Sequence, residues 1–263
     1  MLIFSPPTSD LENSSISLKD ARLSSYPHLI YIDIDILSTH VPQFVSISMS
    51  PQFAAHFHLS SIPESPQVQA LVTTLDLQPH IEGGFFKETD RAPDTVPSPF
   101  PVEKSSTSAS ELAPKRLGFN PEVRNSSTTI FYLLTPNGPQ GGFHRNKGRT
   151  VHTLHRGRGR YILIHADEPG EPKRIESFVV GKDVGKGEKL QWIVEGGKYK
   201  ASYLLPDEEG GKESQGLLIS ETVVPGFEFC DHDFLSPEGL RGLLGRKKAE
   251  ELSWLLSPLG KQG

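Results

Sequence analysis

From residue 126 to residue 234 the sequence is cut into short β-type runs, and that pattern limits the fold more than any other feature. The runs read TTIFYLLT, TVHTLHRG, RYILIHAD, RIESFVVG, KLQWIVEG, YKASYLL, GLLISETVV and FEFCDHDF. Turn residues separate them, as at residues 157–159, 168–170 and 207–211. Many strands at this spacing predict an all-β double-sheet jelly roll, whose two inner faces supply a core large enough for one domain.

The flanks are different. Residues 1–48 carry many serines and threonines before HLIYIDIDIL, and Met49 is the only other methionine. We expect an N-terminal extension that is disordered or dispensable, with Met49 as the functional initiator; peptides from residues 2–48 in the native protein would contradict this. Hydrophobic content of 35% and 22 prolines agree with part of the length being unpacked. Residues 92–121 hold six prolines and a Ser/Thr cluster, and read as a flexible surface insertion. Ser65-Pro66 opens a helix carrying Val68, Leu71, Val72 and Leu75. Ser236-Pro237 opens a closing pair over residues 236–258, expected to pack outside the barrel or on a partner subunit.

Composition also bears on partners. A net charge of −5 with interspersed signs leaves no nucleic-acid footprint. One cysteine, Cys230, permits no intrachain disulfide and fits a reducing compartment; no neighbour in sequence activates it. With no apolar run of about 18 residues, a soluble cytoplasmic protein with no membrane partner is the expectation.

The candidate chemistry centres on residues 138–157, GPQGGFHRNKGRTVHTLHRG. Strand alternation puts His144 and Asn146 on one face, and Thr150, His152 and Leu154 on another. A hairpin through Lys147-Gly148-Arg149, with Gly148 at positive φ, would make these one inner face. His155 has the opposite parity and His165 lies a strand later, so both read as outward or inter-sheet residues.

This stretch resembles the first cupin motif, G-x5-H-x-H-x3-E-x6-G, through Gly138, His144 and Gly157. Asn146 replaces its second histidine and Thr150 its glutamate. PHIEGGFFKET (residues 79–89) resembles the PHPEGGYYRET signature of an RmlC-like cupin branch known only as a domain of unknown function. SSTTIFYLLT, FHR, LQWIVEGGKYKAS and VVPGFEFCD resemble its later blocks in the same order. The resemblance implies a cupin barrel (double-stranded β-helix) over residues 65–235, and a homodimer.

Cupins that hold a metal use three histidines and a glutamate. Of the four positions this chain keeps His144, and Lys200 stands at the second-motif histidine, where a protonated lysine cannot ligate. The expectation is therefore no cofactor, with His144, His152 and Glu82 as the alternative set if a divalent metal is bound. The resemblance to sugar-nucleotide epimerases of the cupin class implies metal-free isomerase chemistry, with His144 and His152 giving and taking protons and Tyr132 as acid. Glu82, Glu88, Asn146, Thr150, Gln191, Phe227 and Asp231 are expected to contact a small polar or aromatic metabolite in the barrel. A metal-dependent oxidoreductase and a non-catalytic ligand-binding cupin are the alternatives.

Overall fold

The computed structural model describes residues 53–100 and 118–258; the expectations for residues 1–48, and for most of the insertion, fall outside them. Helix α1 (Pro66–Thr74) starts as the sequence predicts, with the Ser65 hydroxyl accepting the Val68 amide and Pro66 in the first turn.

Two sheets form the body of the chain. The first orders its strands β1 (Gln78–Pro79), β2 (Phe85–Arg91), β5 (Thr128–Leu134), β12 (Leu217–Val224), β7 (Arg149–Arg156), β10 (Gln191–Val194). The second runs β13 (His232–Phe234), β6 (Gln140–Asn146), β11 (Tyr199–Leu204), β8 (Gly159–Ile164), β9 (Ile175–Val180). They remain two sheets and do not merge into one hydrogen-bonded ring, as in a jelly roll. Tyr132, Leu134, Tyr161, Trp192, Leu204 and Ile219 fill much of the space between them.

Two expectations change. Thr95–Pro97 forms strand β3 against β4 (Val123–Asn125), so the insertion begins in paired structure; its prolines tolerate an edge pairing. Lys147 and Gly148 do not close a hairpin, because β6 pairs with β11 and β13 whereas β7 pairs with β12 and β10. The dipeptide turns the chain from one sheet to the other. Gly148 is needed there for close approach, since a Cβ would sit 3.1 Å from the Pro225 carbonyl oxygen. Both inner faces still point into the barrel.

Helices α2 (Pro237–Leu244) and α3 (Arg246–Leu252) cover the outside of the second sheet. Leu240, Leu244, Leu252 and Leu255 pack there on Phe143, Ile162, Tyr199 and Ala201, so β11 is buried on both faces. Helix α3, the second of the expected closing pair, ends at Leu252 and is followed by a 3-10 turn, Ser253–Leu255. No helix of the described residues is long and apolar enough to cross a membrane.

A bulge in β6 decides which of its side chains face inward. Lys200 pairs with His144, but Ser202 pairs with Gly141, so β6 spends one extra residue between them. Gly142 and Phe143 consequently both face the helices, and His144 turns inward. A Cβ on Gly142 would lie 2.7 Å from the Ser257 backbone. Gly142→Ala is expected to cost about 1–3 kcal/mol through this overpacking, read as a lower urea midpoint with an unchanged slope.

Candidate metal centre and ligand cavity

The bulge and the turn before β2 build one cluster together. The turn is closed by the His80 amide donating to the Gly84 carbonyl at 2.9 Å, and Gly83, at φ +110°, passes so near the Gln140 carbonyl that no side chain would fit. That turn carries Glu82 into the barrel, where it is 8% exposed. The Gly142 amide donates to the Glu82 carbonyl at 2.7 Å, and the Gly142 carbonyl lies 2.8 Å from His144 Nδ1. Glu82 Oε2 is 3.2 Å from His144 Nε2, and Oε1 is 2.9 Å from His232 Nε2. The two imidazoles stack with ring centroids 5.3 Å apart.

The hydrogens on this cluster can be placed. A carbonyl only accepts, so His144 Nδ1 carries the proton it donates to Gly142. Burial pushes the ring's pKa down to about 3 against the pull of Glu82, so at neutral pH Nε2 holds a lone pair. Burial opposes ionisation of Glu82 as well, yet His144, His80 and His232 outweigh it and hold the carboxyl below the usual range. A carboxylate oxygen and an imidazole lone pair therefore face each other at 3.2 Å, and His144 Nε2 has no hydrogen-bond partner. Two acceptors held together out of water call for a cation between them.

A second buried cluster faces it. Lys200, paired with His144 across the strands, donates to Glu221 Oε2 at 2.6 Å and to His152 Nε2 at 2.9 Å. His152 is 0% exposed and stacks on Trp192. Burial first, then Lys200, lowers its pKa. Burial opposes ionisation of Glu221, but Lys200 and His152 outweigh it and keep the carboxyl well below its ordinary range.

Beside both clusters lies a cavity of about 250 Å³. Glu82, Glu221, Asn146 and His80 form polar wall, and Phe86, Ile130, Val223, Phe227 and Phe229 form apolar wall. Arg91 ties Glu88 to Glu228 along the same wall.

The predicted residues thus fall into groups. Glu82, Glu88, Asn146 and Phe227 line the cavity. His144 and His152 both point into the barrel, but into separate clusters, and neither lines the cavity. Tyr132 is spent on the Gly83 carbonyl at 2.9 Å. Thr150 is buried against neighbouring strands. Gln191 lies on the exposed face of β10, bonded to Thr153 Oγ1. Asp231 is held bidentately by Arg124, at 2.6 and 3.0 Å, and anchors the segment bearing Phe227 and Phe229. Cys230 has Arg124 as a neighbour that the local sequence did not reveal, although burial still raises its pKa. His155 is exposed on Phe131, and His165 is buried between Glu168 and Glu176.

Sequence reasoning missed His232, one position beyond the VVPGFEFCD block, and Glu221. The one signal for Glu221 was a carboxylate sharing strand parity with Ile219 and Val223.

His144 makes the stability of the metal-free protein depend on pH. Below pH 6.5 the unfolded ring takes a proton, while the native ring resists until about 3. The unfolded state then binds more protons, so stability falls with pH through this window, by about 1.4 kcal/mol per unit for this group. His80, His152 and Glu82 are lowered too and act in the same direction. Urea midpoints should drop steadily between pH 7 and pH 4; a flat profile would contradict the neutral ring.

Facing antiparallel sheets with a histidine–glutamate cluster and a cavity between them are the architecture of a cupin. The family model described as "Cupin superfamily (DUF985)" matches residues 69–235, and the chain belongs to that family. It is 42% identical over 221 residues to the Saccharomyces cerevisiae protein named "Uncharacterized protein YML079W", covering 83% of this chain and 100% of that one. A hypothetical protein from Leishmania major has a similar structure, with TM-score 0.56 and 25% identity over 72% of this chain and 97% of its own. Protein SO0799 from Shewanella oneidensis shares the fold at TM-score 0.54 and 21% identity, covering 75% of this chain and 99% of that one.

Proposed function

We propose that the protein is a divalent-metal cupin in which Glu82, His144 and His232 hold the ion beside a cavity for a small organic ligand. The observation carrying this reading is the His144 Nε2 lone pair set 3.2 Å from the Glu82 carboxylate, with no partner of its own. The donor set suits iron, zinc or manganese: two imidazoles and a carboxylate, whose ligand atoms lie within 4.8 Å of one another. Metal-binding histidines usually donate their other ring N–H to a carbonyl or carboxylate, as His144 does to Gly142. Glu82 belongs to both the triad and the cavity wall, so an ion there would be next to the ligand. Such an ion supplies Lewis-acid polarisation of a bound oxygen. The chain's own residues hold the ligand and keep water from the ion.

Acid–base isomerisation by His144, His152 and Tyr132 needs all three to meet one guest, and none of them lines the cavity. The metal reading is therefore preferred. It is tested by elemental analysis of full-length protein after dialysis against metal-free buffer. Near-stoichiometric iron, zinc or manganese supports it; metal no higher than in Glu82→Gln overturns it.

A further inference from the structure

We infer that the cavity selects a small neutral molecule carrying hydroxyl groups on a flat apolar ring, with Glu221 and Asn146 reading the hydroxyls. This deepens the ligand-binding half of the proposed function and rests on it, but it needs no metal. Asn146 is 9% exposed and lines the cavity, and its Oδ1 has no hydrogen-bond partner. A buried carbonyl oxygen left alone in this way is costly, and a turn of the Asn146 amide toward the cavity would let a donor on a guest satisfy it. Glu221 points to the same kind of guest. Lys200 and His152 both contact its Oε2, which leaves Oε1 as the oxygen turned to the cavity. The carboxylate is thus already matched in charge by Lys200, and what its second oxygen can take is a hydrogen-bond donor.

The wall discriminates against other polar groups. Arg91 is its guanidinium, and the five N–H groups of that side chain are engaged by Glu88, Glu228, Asn125 and the Phe227 carbonyl. No arginine hydrogen remains for a ligand carboxylate, which would also meet Glu82, Glu88 and Glu221. An ammonium could satisfy the acceptors but nothing else. His80, which also lines the cavity, accepts the Glu82 amide at Nδ1, which leaves Nε2 to carry the ring hydrogen. A hydroxyl both donates and accepts, and suits a wall that mixes the two. Phe86, Phe227 and Phe229 give a ring apolar faces to lie against. About 250 Å³ is smaller than pockets for drug-sized ligands and suits a single ring.

The test uses three ring fragments of one size: resorcinol, benzoate and benzylamine. Each is titrated by ligand-observed NMR into full-length protein, both untreated and stripped with chelator. Resorcinol should bind at least tenfold more tightly than the other two in both preparations. Asn146→Ala should weaken resorcinol tenfold or more, as should the paired change Lys200→Met/Glu221→Leu, which removes the acceptor without stranding a buried charge. Binding of benzoate or benzylamine within tenfold of resorcinol, no binding by any fragment, or indifference of resorcinol to both variants overturns the inference. Resorcinol preference in a protein that holds no metal would sink the metal centre and leave this inference standing. Stoichiometric metal without the preference would do the reverse.

Discussion

Glu82→Gln is expected to purify folded and nearly empty of metal, with affinity reduced by more than the roughly 10–100-fold that loss of an outer-sphere partner costs. Glutamine keeps the volume and one acceptor oxygen, so the 2.9 Å contact with His232 has a counterpart in the variant. What disappears is the one negative charge in the triad, and two imidazoles without it bind divalent ions weakly. The metal-free variant should also lose less stability than Glu82→Ala, because the amide still fills the space under His144. Circular dichroism confirms the fold, and elemental analysis reads the site. Retention of wild-type metal by Glu82→Gln would place the ion elsewhere.

The second large effect concerns the buried ion pair. Lys200→Met should destabilise the protein by about 3–5 kcal/mol, because it leaves Glu221 charged and without its ammonium in the barrel interior. Glu221 is only 6% exposed, so water cannot take over that role. For a domain of this length the loss corresponds to roughly 10 °C in Tm. The double variant Lys200→Met/Glu221→Leu should recover most of it, since an apolar pair of similar volume avoids desolvating either charge. His152, which accepts from Lys200 at 2.9 Å, then retains its ring contacts with Trp192 and Tyr161. The comparison is made by urea denaturation of the chelator-treated proteins at pH 7, which keeps metal affinity out of the result. A single variant as stable as the wild type would mean that Glu221 finds another cation.

Much of the fold is legible in local patterns. Strand alternation named the inward faces of β6 and β7 correctly, although it joined them by a hairpin that the structure replaces with a sheet-to-sheet corner. Ser65-Pro66 and Ser236-Pro237 announced two helix starts, and both serines accept the amide their position predicts. Gly83-Gly84 marked the turn that delivers Glu82, since both glycines adopt positive φ. Lys200 stood visibly where a cupin histidine is expected.

The candidate site was legible only in pieces. Glu82 and His144 were readable because each sits in a recognisable local motif. His232 was not, because its partner lies 150 residues away and no short-range signal couples them. The Glu88 and Phe227 positions could be read as cavity wall, whereas Gln191 and Asp231 could not be placed. An edge strand hides which face is solvated, and a buried arginine can claim a carboxylate from far along the chain.

The sequence by itself determined the strand faces, the caps, the glycine turn and the substitution of lysine for a metal ligand. All of these depend on residues within a few positions of one another. Tertiary structure alone decided which inward side chains meet. The β6 bulge reverses parity between Gly141 and His144, and the pairing of separate strands brings Glu82, His144 and His232 to one depth in the barrel. Periodicity encodes the direction of a side chain but carries no information about register between distant strands, and the geometry of the Glu82, His144 and His232 cluster is a matter of register.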